Sequence, residues 1–157
     1  MKTSNIILGE EVFVDPSTSL NNVTIENGVK IAKRCSIFGS AENPLVIGEG
    51  SYVGMNTILN GYRAKLVIGK RVSIAQNVNI MVDSGPNASP ELQKIYPIVE
   101  GEISIGDDSW IGANAIIMPN VTLGKFCVVA ANSFVDSSFG DYSLIAGAPA
   151  RFIKKIK

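Results

Sequence analysis

An aliphatic residue recurs at every sixth position in the second half of the chain, and this period constrains the fold more than any other feature. The series is Ile105, Ile111, Ile117, Leu123, Val129 and Val135. A period of six fits neither an amphipathic helix nor an ordinary hairpin, but it is typical of a three-sided parallel β-helix with one short strand and one turn per hexad. Three hexads make one coil of about 18 residues, and stacked coils bury a continuous aliphatic core.

The same period returns upstream in shorter runs that are separated by breaks. Their aliphatic members are Leu8, Val14, Leu20, Ile25, Ile31, Ile37, Ile47, Val53, Leu59, Ile68, Ile74 and Ile80. Residues 39–44 and 60–65 are turns with a few extra residues, whereas residues 83–102 contain three prolines and no hexad. Loops this long inside a compact repeat are usually functional or disordered. We therefore expect an all-β chain, with one β-helix domain over residues 1–157 and a protruding loop at about 83–102.

The composition narrows the class of protein. Fourteen basic residues balance fourteen acidic ones, so nothing indicates a nucleic acid or an acidic membrane surface as a partner. No apolar stretch approaches membrane-spanning length, and residues 1–5 do not resemble a signal peptide. Cys35 and Cys127 occupy inward positions of their hexads, which predicts buried, reduced thiols rather than a disulfide or a reactive thiol. These features predict a cytoplasmic protein.

The outward residues of the later hexads predict an oligomer. Neighbours in a short strand point to opposite sides, so the residue before each inward aliphatic residue points outward. Outward residues 18 positions apart lie on the same face, which pairs Ser104 with Thr122, Trp110 with Val128, and Ile116 with Phe134. Two of these three faces are apolar, and contiguous apolar surface usually marks an interface. A cyclic homotrimer would cover both apolar faces and leave the third in water. The alternative is that the long loop covers one of them.

Two stretches carry a resemblance to a known family. The segment GDDSWIG at 106–112, with ANAIIMP and NVTLG following it, and the ending IAGAPAR at 145–151 resemble the hexapeptide-repeat acyltransferases of the left-handed β-helix class. Within that class the chain is most similar, over about residues 20–157, to the sugar and xenobiotic O-acetyltransferases, including those of polysaccharide biosynthesis. The resemblance implies a left-handed coil, a homotrimer with active sites between subunits, acetyl-CoA as donor, and a sugar or related small-molecule hydroxyl or amine as acceptor.

The chain departs from this family at the catalytic base. In the family the base is a histidine that follows the last hexad before the long loop and takes the proton of the attacking group. This chain has no histidine, and the corresponding stretch reads MVDSGPN at 81–87. Asp83 and Ser84 are therefore the catalytic candidates. The absence of histidine also excludes the γ-class carbonic anhydrases, whose metal needs histidine ligands, and we expect no metal.

Neither candidate is a conventional base or nucleophile. A carboxylate such as Asp83 is a weak base toward a hydroxyl at neutral pH unless its surroundings strengthen it, and the alternative is that Asp83 only caps or turns the loop. Ser84 lacks the neighbouring base that activates a serine.

The expected donor site lies at a corner of the coil. Ala113 and Ala131 follow Ile111 and Val129 by two residues, so they stack one coil apart, next to the outward Trp110. Small side chains there allow a slim ligand to approach the backbone. Turn geometry alone would explain them, but the resemblance implies that the pantetheine arm of acetyl-CoA runs along such a corner.

The basic ending is the second part of the expected donor site. Arg151, Lys154 and Lys155 suit the phosphates of coenzyme A. The alternative is a solvated, frayed tail, and we expect residues 146–157 to form a short C-terminal helix.

Three functions remain open at this point. The first is an acetyltransferase that uses an unconventional base or positioning alone, since positioning supplies a large part of many rate enhancements. The second is a catalytically inactive trimer that binds an acyl-CoA or a sugar nucleotide. The third is a structural β-helix protein that has no donor site.

Overall fold

A computed structural model describes residues 4–157, almost all of which lie in short strands or in the turns between them. The first three coils contain β1 (Ile6–Leu8), β2 (Phe13–Val14), β3 (Ser19–Asn21), β4 (Val23–Ile25), β5 (Lys30–Ile31), β6 (Ser36–Phe38), β7 (Leu45–Ile47), β8 (Tyr52–Val53) and β9 (Ile58–Asn60). The fourth coil contains β10 (Leu66–Ile68), β11 (Ser73–Ile74) and β12 (Asn79–Met81), and it is followed by β13 (Asp83–Ser84), α1 (Pro90–Gln93) and β14 (Val99–Glu100). The last two coils contain β15 (Ile103–Ile105), β16 (Trp110–Ile111), β17 (Ile116–Ile117), β18 (Thr122–Leu123), β19 (Val128–Val129) and β20 (Phe134–Val135), and the chain ends with β21 (Ser143–Gly147) and β22 (Ala150–Lys155).

Strands that occupy the same position in successive coils pair in parallel and build three faces. The first face runs β1-β4-β7-β10-β15-β18, the second runs β2-β5-β8-β11-β16-β19, and the third runs β3-β6-β9-β12-β17-β20. The register is regular: Ile68 lies opposite Ile105, which lies opposite Leu123. The backbone amide of Trp110, for example, donates to the carbonyl of Cys127 one coil later at 2.8 Å. The parallel β-helix predicted from the period is confirmed.

The core consists of the aliphatic residues that recur every sixth position. From Ile25 to Val135 these residues are at most 1% exposed, whereas in the first coil Leu20 is 8% exposed and Leu8 is 50% exposed. Two positions earlier, several coils carry a hydroxyl instead of a methyl group. Ser109 Oγ donates to the carbonyl of Gly124 and accepts from the amide of Cys127, both at 3.1 Å. A small polar residue at this position therefore satisfies backbone groups of the next coil as well as fitting the corner.

The corners require a left-handed backbone. In the last coils Asp108, Asn114, Asn120, Phe126 and Asn132 have φ between 57° and 69° at intervals of six residues. Asparagine and aspartate tolerate this region, whereas a bulky residue there is uncommon. Phe126 is the exception, and its ring stacks on that of Tyr142 with centroids 5.0 Å apart. Asn114 and Asn132 are thus residues of a type that suits the left-handed turn they occupy.

All three breaks in the period leave the coil at the same corner, between the third and first faces. Residues 39–44 follow β6, residues 60–65 follow β9, and residues 83–102 follow β12. We call this the third corner, and we call residues 83–102 the excursion. The base of the excursion is a two-stranded antiparallel ribbon in which Asp83 lies opposite Glu100 and Ser84 opposite Val99. Ser89 caps the N-terminus of α1, and its hydroxyl accepts from the Leu92 amide at 3.1 Å.

The C-terminal tail is a strand, so the helix expected over residues 146–157 is wrong. The chain reverses at Ala148 and Pro149, and β22 runs antiparallel to β21 from Ala150 opposite Gly147 to Lys155 opposite Ser143. The physical reason is that the last coil leaves backbone groups unpaired at its edge, and a returning strand pairs them. Phe152 and Ile153 also favour a strand over a helix.

The outward columns match the sequence expectation in the last coils. Trp110 lies beside Val128, Ile116 beside Phe134, and Ser104 beside Thr122. Trp110 is 56% exposed. Earlier coils are more mixed, since Lys30 and Ser73 occupy the Trp110 column. Phe13 and Tyr52 also lie in the Trp110 column, and Val46 and Val67 lie in the Ser104 column. The division into two apolar faces and one polar face therefore holds only for the last coils.

Both cysteines are buried and free. Cys35 Sγ donates to the carbonyl of Gly54 and Cys127 Sγ to that of Gly140, each at 3.2 Å. Burial raises the pKa of both thiols, which disfavours the thiolate, the reactive form.

We expect an aromatic disulfide reagent to modify the native protein at neutral pH more than about tenfold more slowly than the urea-unfolded chain, because the folded thiols are protonated and enclosed. The measurement is the absorbance of the released thiolate, with glutathione in the same buffers as a control. The raised thiol pKa also means that the unfolded chain loses these protons first, so the free energy of unfolding should fall as pH rises above the ordinary thiol value. Immediate modification of two thiols in the folded protein would contradict this expectation.

Candidate functional site

A cleft opens at the third corner between the 60–65 insertion and the excursion. Its volume is about 600 Å³, and it is lined by Phe38, Asn60, Tyr62, Arg63, Asp83, Asn87, Gln93 and Ile98. A smaller cleft of about 360 Å³ shares Tyr62 and Arg63 and extends to the 39–44 insertion and Glu100. Asp83, the first catalytic candidate, therefore lies in the wall of a concave site.

Asp83 is held by neighbours from a different coil. Its side chain is 14% exposed. Its Oδ1 atom accepts a hydrogen bond from Asn60 Nδ2 at 3.1 Å. Its Oδ2 atom lies 3.7 Å from Arg63 Nε, which is longer than a hydrogen bond. One carboxylate oxygen is thus fixed, and the other keeps its capacity to accept.

The orientation of the Asn60 amide follows from its second contact. Asn60 Oδ1 accepts from the backbone amide of Tyr62 at 3.1 Å. A backbone N–H only donates, so the amide oxygen must face it and the NH₂ group must face Asp83. The NH₂ group is a donor, and Asp83 Oδ1 must therefore be an acceptor. The local turn at residues 60–62 in this way orients the carboxylate.

Arg63 lies between two carboxylates at the base of the excursion. Its Nη1 atom is 3.7 Å from Glu100 Oε2, and Glu100 is the cross-strand neighbour of Asp83. Like charges directly opposite each other destabilise a strand pair, so a guanidinium between them relieves the repulsion. Arg63 is about half exposed, and such solvated ion pairs are individually weak.

Ser84, the second catalytic candidate, does not line either cleft. It pairs with Val99, and adjacent strand residues point to opposite sides, so its side chain leaves the ribbon away from Asp83. No base among residues 4–157 is placed to activate its hydroxyl, and the geometry does not support it as a nucleophile.

The expected donor residues lie at a different corner. Ala113 and Ala131 follow the second face, at the corner that leads to the third face, which we call the second corner. Ala113 and Ala131 lie one above the other in successive coils, and the next residue after Ala131, Asn132, donates its backbone amide to the Ala113 carbonyl at 2.9 Å. Asn114 Nδ2 donates to Asn132 Oδ1 at 3.1 Å. The small-residue column predicted from the sequence is present, and Trp110 precedes it on the second face.

The basic residues of the tail are not gathered at one point. Arg151 lies opposite Ala146, at the second-corner end of the β21–β22 hairpin. Lys154 and Lys155 lie opposite Leu144 and Ser143, at the other end. Lys155 Nζ is also engaged by the carbonyl of Asp141. Only Arg151 is therefore near the corner of Ala113 and Ala131.

The cleft and the donor corner lie along opposite edges of the third face. One chain does not bring Asp83 together with Ala113 and Ala131, because the strands of the third face separate them. Sequence reasoning missed Asn60, Tyr62, Arg63 and Glu100 as neighbours of Asp83. The available signal was that each break in the period follows the third strand of its coil, so the inserted segments had to stack at one corner.

Residues 4–157 contain neither a cluster of metal-ligating side chains nor a membrane-spanning helix. No group of three or more His, Cys, Asp or Glu side chains in this range is placed to hold a metal ion. No helix in the same range is long and apolar enough to cross a membrane.

Comparison with known proteins places this geometry in a family. Residues 102–137 match the family described as bacterial transferase hexapeptide (six repeats). The chain is 34% identical over 121 residues to a galactoside O-acetyltransferase of Escherichia coli K12, covering 76% of this chain and 58% of the relative. It is 36% identical over 108 residues to a probable macrolide acetyltransferase of Lysinibacillus sphaericus, covering 58% and 60%. The chain thus spans less than two thirds of the length of these curated relatives.

A solved structure shares nearly the whole fold. AntD, an N-acyltransferase from Bacillus cereus in complex with dTDP and 3-hydroxybutyryl-CoA, superposes with a TM-score of 0.84 at 26% identity, covering 98% of this chain and 84% of AntD. A variant of AntD was crystallised with dTDP-4-amino-4,6-dideoxyglucose and coenzyme A. The fold is therefore that of the left-handed β-helix acyltransferases, as expected from the sequence. The repeat, the three-faced coil and these relatives agree: residues 102–137 carry the repeat of the hexapeptide transferase family, and the chain is similar to transferases of that family over most of its length.

Proposed function

We propose that this protein is an acyltransferase that moves an acetyl group from acetyl-CoA to a hydroxyl or amine of a sugar or related small molecule. The observation that carries the proposal is the cleft at the third corner, where Asp83 is oriented by Asn60 and has one oxygen that accepts no hydrogen bond. A carboxylate in a cleft, with a fixed orientation and an oxygen without a hydrogen-bond donor, is suited to receive a proton from an attacking group.

The choice of donor is supported by the solved relatives and by the second corner. AntD was crystallised with 3-hydroxybutyryl-CoA or coenzyme A, and several curated relatives are named as acetyltransferases. In this chain the stacked Ala113 and Ala131 leave the backbone of the second corner approachable, with Arg151 at the end of the same corner. A slim pantetheine arm fits such a corner, and a guanidinium suits its phosphates.

A sugar or sugar nucleotide as acceptor is supported by the cleft and by the relatives. A volume of about 600 Å³ lies in the usual range for small-molecule sites. The polar residues Asn87 and Gln93 and the aromatic residues Phe38 and Tyr62 line it, a combination that serves hydroxyl groups and ring faces. Relatives are named for galactoside and maltose, and AntD was crystallised with a dTDP-linked amino sugar.

A homotrimer would complete the site. Asp83 and the donor corner lie on opposite edges of the third face, so the cleft of one subunit needs the second corner of a neighbour. A cyclic arrangement supplies that corner three times. The exposed Trp110 and the exposed Ile95 and Tyr96 of the excursion offer apolar surface for such contacts.

A binding protein without turnover is the second candidate, and the observation that favours it is the lack of any histidine. The two candidates separate cleanly in one experiment. Acetyl-CoA binding without release of free thiol in the presence of acceptors supports the inactive protein, whereas acceptor-dependent release supports the enzyme. A structural β-helix protein would not bind acetyl-CoA.

We also propose that the protein acts in the cytoplasm and in polysaccharide biosynthesis. Two buried, free cysteines suit a reducing compartment. A protein of Escherichia coli K12 named as a putative lipopolysaccharide biosynthesis O-acetyl transferase is 36% identical over 72 residues, which cover 46% of this chain.

Arg151→Ala should weaken acetyl-CoA binding about tenfold, because a hydrogen bond to a charged phosphate is worth roughly 1.5–3 kcal/mol. The measurement is calorimetric titration at low and moderate salt, with affinity expected to fall as salt rises. The double variant Lys154→Ala/Lys155→Ala separates the two ends of the tail. A large loss of affinity in the lysine variant alone would indicate that the phosphates bind at the Lys154 and Lys155 end of the hairpin. No binding by the intact protein would reject the donor site.

Asp83→Asn should lower kcat by about a hundredfold to ten-thousandfold, the usual contribution of a general base, and leave the dissociation constant of acetyl-CoA unchanged. The assay follows release of free thiol from acetyl-CoA with a panel of sugars and sugar nucleotides that includes dTDP-4-amino-4,6-dideoxyglucose. Glu91→Gln is the matched control, because Glu91 is exposed and pairs only with Lys94. If Asp83 is only a loop cap, Asp83→Asn will lower the melting temperature and leave kcat intact.

Trp110→Glu should convert the trimer to monomer at micromolar concentration, because the interface would bury an unpaired charge. Sedimentation equilibrium reports the mass. Thr122→Glu places the same charge on the polar first face and should remain trimeric. A wild-type chain that sediments as a stable monomer would refute the proposed assembly.

A further inference from the structure

The cleft at the third corner contains few groups that accept a proton at neutral pH. The polar side chains in its wall belong to Asn60, Tyr62, Arg63, Asp83, Asn87 and Gln93. Amides are not bases, a guanidinium stays protonated, and a phenol ordinarily holds its proton at neutral pH. Asp83 is therefore the only base among the residues that line this cleft.

A neighbouring copy of this chain brings no imidazole to the cleft, because the sequence contains no histidine. Among the residues that line the cleft the proton acceptor is therefore the Asp83 carboxylate, and the acceptor substrate must be one that a carboxylate is able to serve.

The demand on the base differs between a hydroxyl and an amine. A sugar hydroxyl is a poor nucleophile unless its proton is removed as it attacks, and a carboxylate is too weak a base to do this efficiently. A neutral amine attacks through its lone pair while it keeps its protons. Its N–H becomes strongly acidic only after the new bond forms, and a carboxylate is then a sufficient acceptor.

The geometry of Asp83 fits the second case. Asn60 Nδ2 occupies Oδ1 at 3.1 Å, and Arg63 Nε stays 3.7 Å from Oδ2, so Oδ2 retains a lone pair for an N–H of the acceptor. The Asn60 amide is itself fixed by the Tyr62 backbone at 3.1 Å. The carboxylate is thus presented in one orientation and as an acceptor.

Building on the proposed acyltransferase function, we propose that the atom acylated in this cleft is an amine nitrogen of an amino sugar, and that Asn60 is the positioning residue that orients Asp83 toward it.

The step balances with groups already named. The neutral nitrogen forms a bond to the thioester carbonyl carbon, and the carbonyl π electrons move to oxygen. The cationic nitrogen of this tetrahedral intermediate passes one proton to Asp83 Oδ2. The carbonyl re-forms, the carbon–sulfur bond breaks, and the coenzyme A thiolate leaves and takes that proton from Asp83. Amine and acetyl-CoA become amide and free thiol, and Asp83 is restored.

The test compares pairs of sugars that differ only in carrying an amino group or a hydroxyl at one carbon. Glucose and its derivatives aminated at C2, C3, C4 or C6 are offered as free sugars and as nucleoside diphosphate sugars, and free thiol and the acylated product are measured. We expect at least one amino sugar to react about a hundredfold or more faster than its hydroxyl twin, given the usual contribution of a general base. If the sugar with a hydroxyl at the same carbon is acylated at an equal or higher rate, this inference is wrong and the acyltransferase function remains supported. No thiol release with any acceptor overturns both.

Asn60→Ala tests the positioning role. We expect kcat for the preferred amino sugar to fall about tenfold or more, with the KM for acetyl-CoA unchanged. Asn27→Ala is the matched control, because Asn27 Oδ1 likewise accepts a backbone amide, that of Glu10 at 2.8 Å, far from the cleft. A merely structural Asn60 would lower the melting temperature as Asn27→Ala does and leave kcat unchanged, and that result would overturn its assigned role.

Discussion

The pairing of every strand with the strand one coil later is the interaction on which the rest of the structure depends. A strand of two or three residues is too short to be stable alone, but each inner strand of a face is hydrogen-bonded through its backbone to strands on both sides. Those bonds form only if equivalent strands of successive coils keep the same register, whatever the length of the turns between them. The aliphatic residue at every sixth position meets this demand, because it fills the interior at the same height in each coil.

The same register explains why a site exists at the third corner. All three insertions follow strands of the third face, and these strands stack in successive coils. The extra residues of the three coils therefore lie side by side. Phe38 and Asn60 are register partners on neighbouring strands, and Asp83 follows the next strand of the same face. Residues more than twenty positions apart in sequence thus line one cleft. The scaffold is repetitive, whereas the chemistry lies in the parts that interrupt the repeat.

Because the chain has no histidine, the proposed proton acceptor is one carboxylate, and its action depends on the groups that orient it. The network from the Tyr62 backbone through Asn60 to Asp83 holds one oxygen of the carboxylate and leaves the other without a hydrogen bond. Its contribution is one of orientation. An acceptor that loses its proton late in the reaction is the natural match for such a group.

The sequence by itself determined the coil, the inward and outward positions and the location of the excursion, because each depends on a local period that a single chain displays. The aliphatic hexads, the stacked Ala113 and Ala131 and the left-handed Asn114 and Asn132 were all predictable on this ground. Only the tertiary structure decided that the tail after Pro149 is a strand, since its partner is the exposed edge of the last coil. It alone also joined Asn60 and Arg63 to Asp83 and separated Arg151 from Lys154 and Lys155. The neighbours of Asp83 depend on the corner from which each inserted segment leaves, and the positions of the basic tail residues depend on how the chain reverses at its end. The hexad period predicts neither.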